Sequence, residues 1–239
     1  MQTNLDSSKL FLKDFKEAAD GLMEILPIEK MCKESWLVVA ISKEAIKLAE
    51  LICSKIKIGY DILFCETIFA PNNSSLPIAK VSETEEIVIH DELINAFLIN
   101  LDYVYGEAKR KYEEKILPQV YKYRKGELIS SLKGKNVLLV DVGCESGLTV
   151  LTGIKSALNA GAKSVSFATP VIASNVFISL DLIVDEIYTI NRVQNFINTT
   201  YYYQNFEELK YEEIKAILDN SSFYIPFKKI EEVKLCSTP

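Results

Sequence analysis

The sequence predicts an α/β fold: an open, mainly parallel sheet flanked by helices. Three observations carry that reading. Two short, continuous apolar runs, 36–41 (WLVVAI) and 136–140 (NVLLV), have the composition of strands covered on both faces. Each leads through a polar corner into apolar residues spaced three and four apart, the pattern of an amphipathic helix. Residues 165–168 then supply another strand, so 135–173 forms a βαβ unit with a right-handed crossover.

The 239 residues are 49% hydrophobic, enough for one sizeable core or a core with a small subdomain. A formal net charge of −6 argues against nucleic acid as a partner, because no basic field gathers on a phosphate backbone. No apolar run approaches the roughly 20 residues of a spanning helix, and the opening MQTNLDSSKL lacks the apolar segment of an export signal. Five scattered cysteines (Cys32, Cys53, Cys65, Cys144, Cys236) then read as reduced thiols in the cytoplasm. With one histidine, His90, and no C-x-x-C pair there is little material for a zinc site.

Taken in order, residues 11–26 place Phe11, Phe15, Ala18, Ala19, Leu22, Met23 and Leu26 at helical spacing, and Pro27 ends the helix. The strand at 36–41 passes through Ser42-Lys43-Glu44 into a helix over 45–56. A hydroxyl cap with an acid in the first turn is by itself a favourable helix start. Residues 60–64 read as a third strand and 70–77 as a turn-rich loop. Residues 78–81 and 86–90 pair as a β-hairpin. The region 91–117 is helical, with opposite charges three and four apart, and Pro118 stops it. Tyr123 and Arg124 sit in a basic, aromatic patch. They suit an anionic or base-binding site, since arginine stacks and pairs with phosphate, or a solvent-facing linker.

In the βαβ unit the helix begins at Leu148, with Leu151, Ile154, Ala157 and Leu158 on its apolar side and Gly161 as its stop. Pro170 ends the next strand. A short helix near 174–180, a strand over 182–190, a tyrosine-rich stretch and a helix over 211–218 follow. The charged, aromatic tail 223–233 closes the reading.

The loop 141–149 carries the chemistry, because ligands of open α/β sheets sit outside the carboxyl ends of the strands. Gly143 and Gly147 let the backbone approach a ligand. Thr149 sets a hydroxyl beside the free N–H groups of a helix start, which attract phosphate. Asp141, at the strand end, is placed to accept hydrogen bonds from sugar hydroxyls. A phosphorylated sugar fits these residues; a plain βα turn with a capping Ser or Thr fits them too.

The run Val137-Leu138-Leu139-Val140-Asp141, the loop with Ser146-Gly147-Leu148-Thr149, and the later Ala160-Gly161-Ala162-Lys163 and Ala168-Thr169-Pro170-Val171 resemble the type I phosphoribosyltransferases. The likeness is strongest to their stand-alone "predicted phosphoribosyltransferase" branch and covers most of the chain. It implies a single domain over 1–239, with a small hood formed by about 66–130 and by 191–239. It also implies transfer of ribose 5-phosphate from phosphoribosyl pyrophosphate (PRPP), with Mg²⁺, to a nitrogenous base.

By that resemblance Asp141 holds the ribose hydroxyls and meets Mg²⁺ through PRPP. Gly143, Cys144, Glu145, Ser146, Gly147, Leu148 and Thr149 wrap the 5′-phosphate, and Ser42, Lys43 and Glu44 face the pyrophosphate. Tyr123, Arg124, Phe196 and Tyr202 are candidates to line the acceptor site. The tyrosine cluster fits a homodimer contact equally well.

The chain departs from the family pattern at three places. Val142 replaces the second acid, Glu44 stands where glycine is usual, and Glu145 lies inside the phosphate loop. Two like charges about 4 Å apart repel by roughly 4 kcal/mol at an effective dielectric near 20, while a helix start returns about 0.3–1 kcal/mol. These departures keep open a non-catalytic nucleotide- or phosphate-binding regulator, or a protein-interaction module.

Overall fold

The computed structural model describes residues 11–227. The apolar runs become the middle of a five-stranded parallel sheet. In chain order come α1 (Phe15–Ile25), α2 (Ile28–Lys33), β1 (Trp36–Ala40), α3 (Ala45–Ile56) and β2 (Tyr60–Ile62). Next are β3 (Cys65–Ala70), β4 (Asn73–Ser82), β5 (Ile87–Ile89), α4 (Asp91–Ala96), α5 (Leu101–Lys111) and α6 (Leu117–Arg124). The second half holds β6 (Asn136–Val140), α7 (Leu148–Asn159), β7 (Ser164–Ala173), α8 (Ser174–Leu180), β8 (Ile187–Val193) and α9 (Tyr211–Asn220).

The parallel sheet has the order β2-β1-β6-β7-β8, and β3-β4-β5 form a separate antiparallel sheet. Every residue of β1 and β6 is buried, and alternate side chains feed two cores. Val38, Ala40, Leu138 and Val140 pack with α1 and α3. Leu37, Val39, Val137 and Leu139 pack with α7 and α8. A strand buried on both faces reads as a continuous apolar run, which is why these two are visible in the sequence.

The small sheet is tied to α7. The hydroxyls of Ser82, Thr84 and Ser156 bond one another at 2.8–2.9 Å, and Asn159 Nδ2 donates to Glu86 Oε1 at 2.7 Å. No helix among the described residues is long and apolar enough to cross a membrane.

Several expected boundaries move, each for a local reason. The first helix starts at Phe15 because Asp14 caps it, accepting from the N–H groups of Lys16 and Glu17. Phe11 and Leu12 precede it, and Leu12 bridges Tyr203. The expected loop 70–77 shrinks to a turn between β3 and β4, with Pro77 beside a register shift where a ladder donor is dispensable. The helical stretch breaks at Leu98, whose φ is +50°, and Pro118 does not stop it. A π-helical turn at Tyr112–Ile116 shifts the hydrogen-bond register, and Pro118 enters α6 in its first turn.

Pro170 likewise lies inside β7, past Ala168, the last residue paired with β6. The final sheet strand is 187–193 rather than 182–190. Leu158 is exposed rather than on the packed side of α7. The expected tail begins as core: Tyr224 is buried against Tyr60, with ring centroids 5.5 Å apart. The remainder of that tail, from 228, and Cys236 lie outside the described residues.

Candidate functional site

β6 delivers Asp141 to the carboxyl end of the sheet, and α7 takes over at Leu148. The loop between them is pinned. The Cys144 N–H donates to the Val171 carbonyl (2.9 Å) and the Ala173 N–H to the Cys144 carbonyl (3.0 Å), which turns the Cys144 side chain into the core. Burial pushes its thiol well above the ordinary range, and the Gly147 N–H bonds to it. Cys144 and Leu148 are both buried, so only their backbones can face a ligand.

Gly147 begins α7 at φ +75°, a conformation that costs residues with a Cβ about 1–2 kcal/mol. Gly143 is required for space: a Cβ there would come within 2.5 Å of Thr199. At the far end Gly161, φ +79°, closes α7 with the paired bonds of a Schellman turn, Gly161 N–H to Leu158 and Ala162 N–H to Ala157. Ser146 and Glu145 are exposed and Thr149 is half-buried.

Asp141 is 7% exposed. Its Oδ1 accepts from Ser42 Oγ (2.6 Å) and from the Val142 N–H (2.8 Å). Among the described residues no group donates to Oδ2 and no cation forms an ion pair with this carboxylate. Burial therefore pushes its pKa up to about 6, against the Ser42 bond and the more distant Lys80, with Glu44 adding to the rise. The Tyr203 hydroxyl donates to the Val142 carbonyl at 2.8 Å and braces the loop from beneath.

The β1–α3 corner is different. Ser42 also accepts from the Ala45 N–H (3.3 Å), so its hydroxyl serves helix start and Asp141 together. Lys43 is exposed and Glu44 half-buried. The donor set does not fit a Mg²⁺ site built by the protein. Val142 is apolar where the resemblance places a second acid. Among the described residues no three His, Cys, Asp or Glu side chains gather around a metal position.

The side chains of Tyr123, Arg124 and Tyr202 are buried rather than exposed. Tyr123 is buried, stacked on Phe64 with centroids 5.7 Å apart. The Arg124 side chain is fully buried, bonded to Glu83 and 3.7 Å from Asp61, with the Phe64 ring at 4.9 Å. It is neither a solvent-facing linker nor an open anion contact. Tyr202 is buried, its hydroxyl accepting from the Ile197 N–H (3.1 Å), and packs on Phe196 at 4.9 Å. Phe196, half-buried, keeps some surface.

Two further residues, to which the sequence pattern assigns no role, lie beside the loop. Thr199 covers Gly143, and Lys80, on β4, donates to Thr149 Oγ1 at 2.8 Å. The available signal for Lys80 was a single charge inside the buried run 78–82.

No protein-family model matches the chain. Among solved structures, TT1426 from Thermus thermophilus is 21% identical, over 87% of this chain and 97% of that one, with a TM-score of 0.69. A purine phosphoribosyltransferase from Pyrococcus horikoshii is 14% identical (84% and 97% covered, TM-score 0.45). A Neisseria gonorrhoeae hypothetical protein with bound ppGpp is 13% identical (87% and 96%, TM-score 0.44). The parallel sheet with its flanking helices and small antiparallel sheet is an open α/β fold shared with TT1426.

Proposed function

We propose that the chain binds a 5-phosphorylated ribose, the group shared by PRPP and nucleoside 5′-monophosphates, in the loop 141–149. One observation carries the reading. Asp141 is a buried carboxylate with no cation against it, held at the mouth of a loop whose helix start offers free N–H groups. Burying a charge without a partner lowers stability, and groups placed so are characteristic of ligand sites. Ser42 and the Val142 N–H fix Oδ1, which leaves Oδ2 to accept from sugar hydroxyls. The first N–H groups of α7 and the Thr149 hydroxyl take the phosphate.

Phosphoribosyl transfer to a nitrogenous base is the second reading. Lys43 favours it, as an exposed cation at the corner that resemblance assigns to pyrophosphate. Glu44 beside it and Val142 weigh towards binding without transfer. If PRPP binds, Mg²⁺ arrives with its diphosphate, whose charge it neutralises.

Calorimetric titration with ribose 5-phosphate, and with PRPP plus Mg²⁺, tests the proposal. Saturable heat with ribose 5-phosphate is expected. Release of pyrophosphate from PRPP in the presence of a purine or pyrimidine base would establish transfer. Folded protein that gives no heat with either ligand would sink both readings.

A further inference from the structure

A phosphate dianion needs more positive potential than the loop provides. None of residues 141–149 is basic, and two of them, Asp141 and Glu145, are acidic. A helix start alone offers about 0.3–1 kcal/mol. The compensating charge comes from another element. Lys80 lies on β4, the middle strand of the small sheet, paired with Thr67 on one side and Val88 on the other. Its neighbours Ile78, Ala79, Val81 and Ser82 are buried, and Lys80 itself is half-buried.

The Lys80 side chain crosses to the first turn of α7, where Nζ donates to Thr149 Oγ1. Among the described residues no carboxylate forms an ion pair with this ammonium. Its field reaches Asp141 and Cys65, opposing the rise that burial imposes on both. A half-buried ammonium in a strand, partnered by a neutral hydroxyl, keeps donors for an anion that the hydroxyl also contacts. The position is fixed, because Ser82, Thr84 and Glu86 anchor the following hairpin turn along α7 through Ser156 and Asn159.

Building on the reading of the loop as a phosphoribosyl site, we infer that Lys80 is its phosphate-binding cation, reaching the 5′-phosphate from the small sheet. The phosphate then joins the small sheet to the helix start, bonded by Lys80 from one and by Thr149 and the α7 N–H groups from the other. The recognised class is any ribose ligand ending in a 5′-phosphate, whatever its anomeric substituent.

The test is calorimetric titration of wild type, Lys80→Met and Lys163→Met with ribose 5-phosphate and with unphosphorylated ribose at two salt concentrations. Lys80→Met keeps the aliphatic stem. Lys163→Met removes the same charge from an exposed residue just before β7, away from the loop. The inference predicts at least 10-fold weaker ribose 5-phosphate binding in Lys80→Met, with a flatter salt dependence. It predicts a change under 2-fold in Lys163→Met, and equal melting temperatures in the variants. Lys80→Gln covers the case in which the methionine variant folds poorly.

Hydrogen exchange should also show ligand-induced protection of residues 78–82 in wild type that Lys80→Met loses. Wild-type binding that Lys80→Met matches within 2-fold would overturn the role of Lys80 and leave the loop reading standing. Absence of wild-type binding would overturn both.

Discussion

Two places in this molecule bury carboxylates, and they do so in opposite ways. Asp61 and Glu83 close on Arg124, and all three side chains are at most 1% exposed. Backbone donors add to the cluster: Ser130 and Ile62 N–H groups on Asp61, and the Phe64 N–H on Glu83. Burial still raises both carboxylates, with Arg124 opposing the rise. The cluster clamps β2, the β4–β5 turn and α6 together. Asp141 has a hydroxyl and one backbone N–H but, among the described residues, no cation in contact. The paired cluster is architecture, whereas the carboxylate without a cation carries the proposed ligand site.

The largest expected effect breaks the paired cluster. Arg124→Met should lower unfolding free energy by about 3–5 kcal/mol, because it leaves two buried carboxylates without their cation. Denaturant unfolding at pH 7 measures it. A loss below about 1 kcal/mol would mean that Arg124 contributes little to holding these elements together.

Asp141→Asn should have the opposite sign. Its folded pKa, about 6, lies above the unfolded value near 3.9. The native state therefore binds more protons across that window, and this group's contribution makes stability fall as pH rises from about 4 to 6, then level off. The asparagine variant should gain about 1–3 kcal/mol at pH 7 and lose that part of the pH dependence, as unfolding curves at pH 4, 5, 6 and 7 would record.

A smaller effect sharpens the comparison at the first corner. Ser42→Ala removes a helix cap and a partner of Asp141, at a cost of about 1 kcal/mol. It should also push the Asp141 pKa further up, since the Ser42 bond lowers it. A shift of the side-chain carboxyl titration by NMR is the check. The smallest effect belongs to Glu145, which faces solvent. Glu145→Ala should tighten ribose 5-phosphate binding about 2-fold at low salt, an advantage that vanishes at high salt as exposed charges are screened.

Much of the fold was legible because burial writes itself into composition. The strands at 36 and 136 and the helix over 45–56 stand as expected, since a doubly covered strand and an amphipathic helix have distinct periods. The prolines misled because what matters is whether a donor is needed at that point: Pro118 follows a π-helical turn, and Pro170 lies past its paired neighbour. The site was half legible. Gly143, Gly147 and Thr149 follow one another in the chain and form a motif. Lys80 meets Thr149 across 69 residues, and Arg124 meets Glu83 across 41. Such partnerships exist only after folding, so a lysine in a buried run and an arginine in a basic patch carried no sign of their partners.

The central claim is that Asp141 is kept buried and unpaired for a phosphoribosyl ligand at the expense of stability. Thermal unfolding of wild type and Asp141→Asn at pH 7, with and without ribose 5-phosphate, tests both halves together. Asp141→Asn is expected to melt higher than wild type without ligand and not to respond to it, while ligand raises the wild-type midpoint. A variant that melts lower, or that gains as much from ribose 5-phosphate as wild type does, would contradict it.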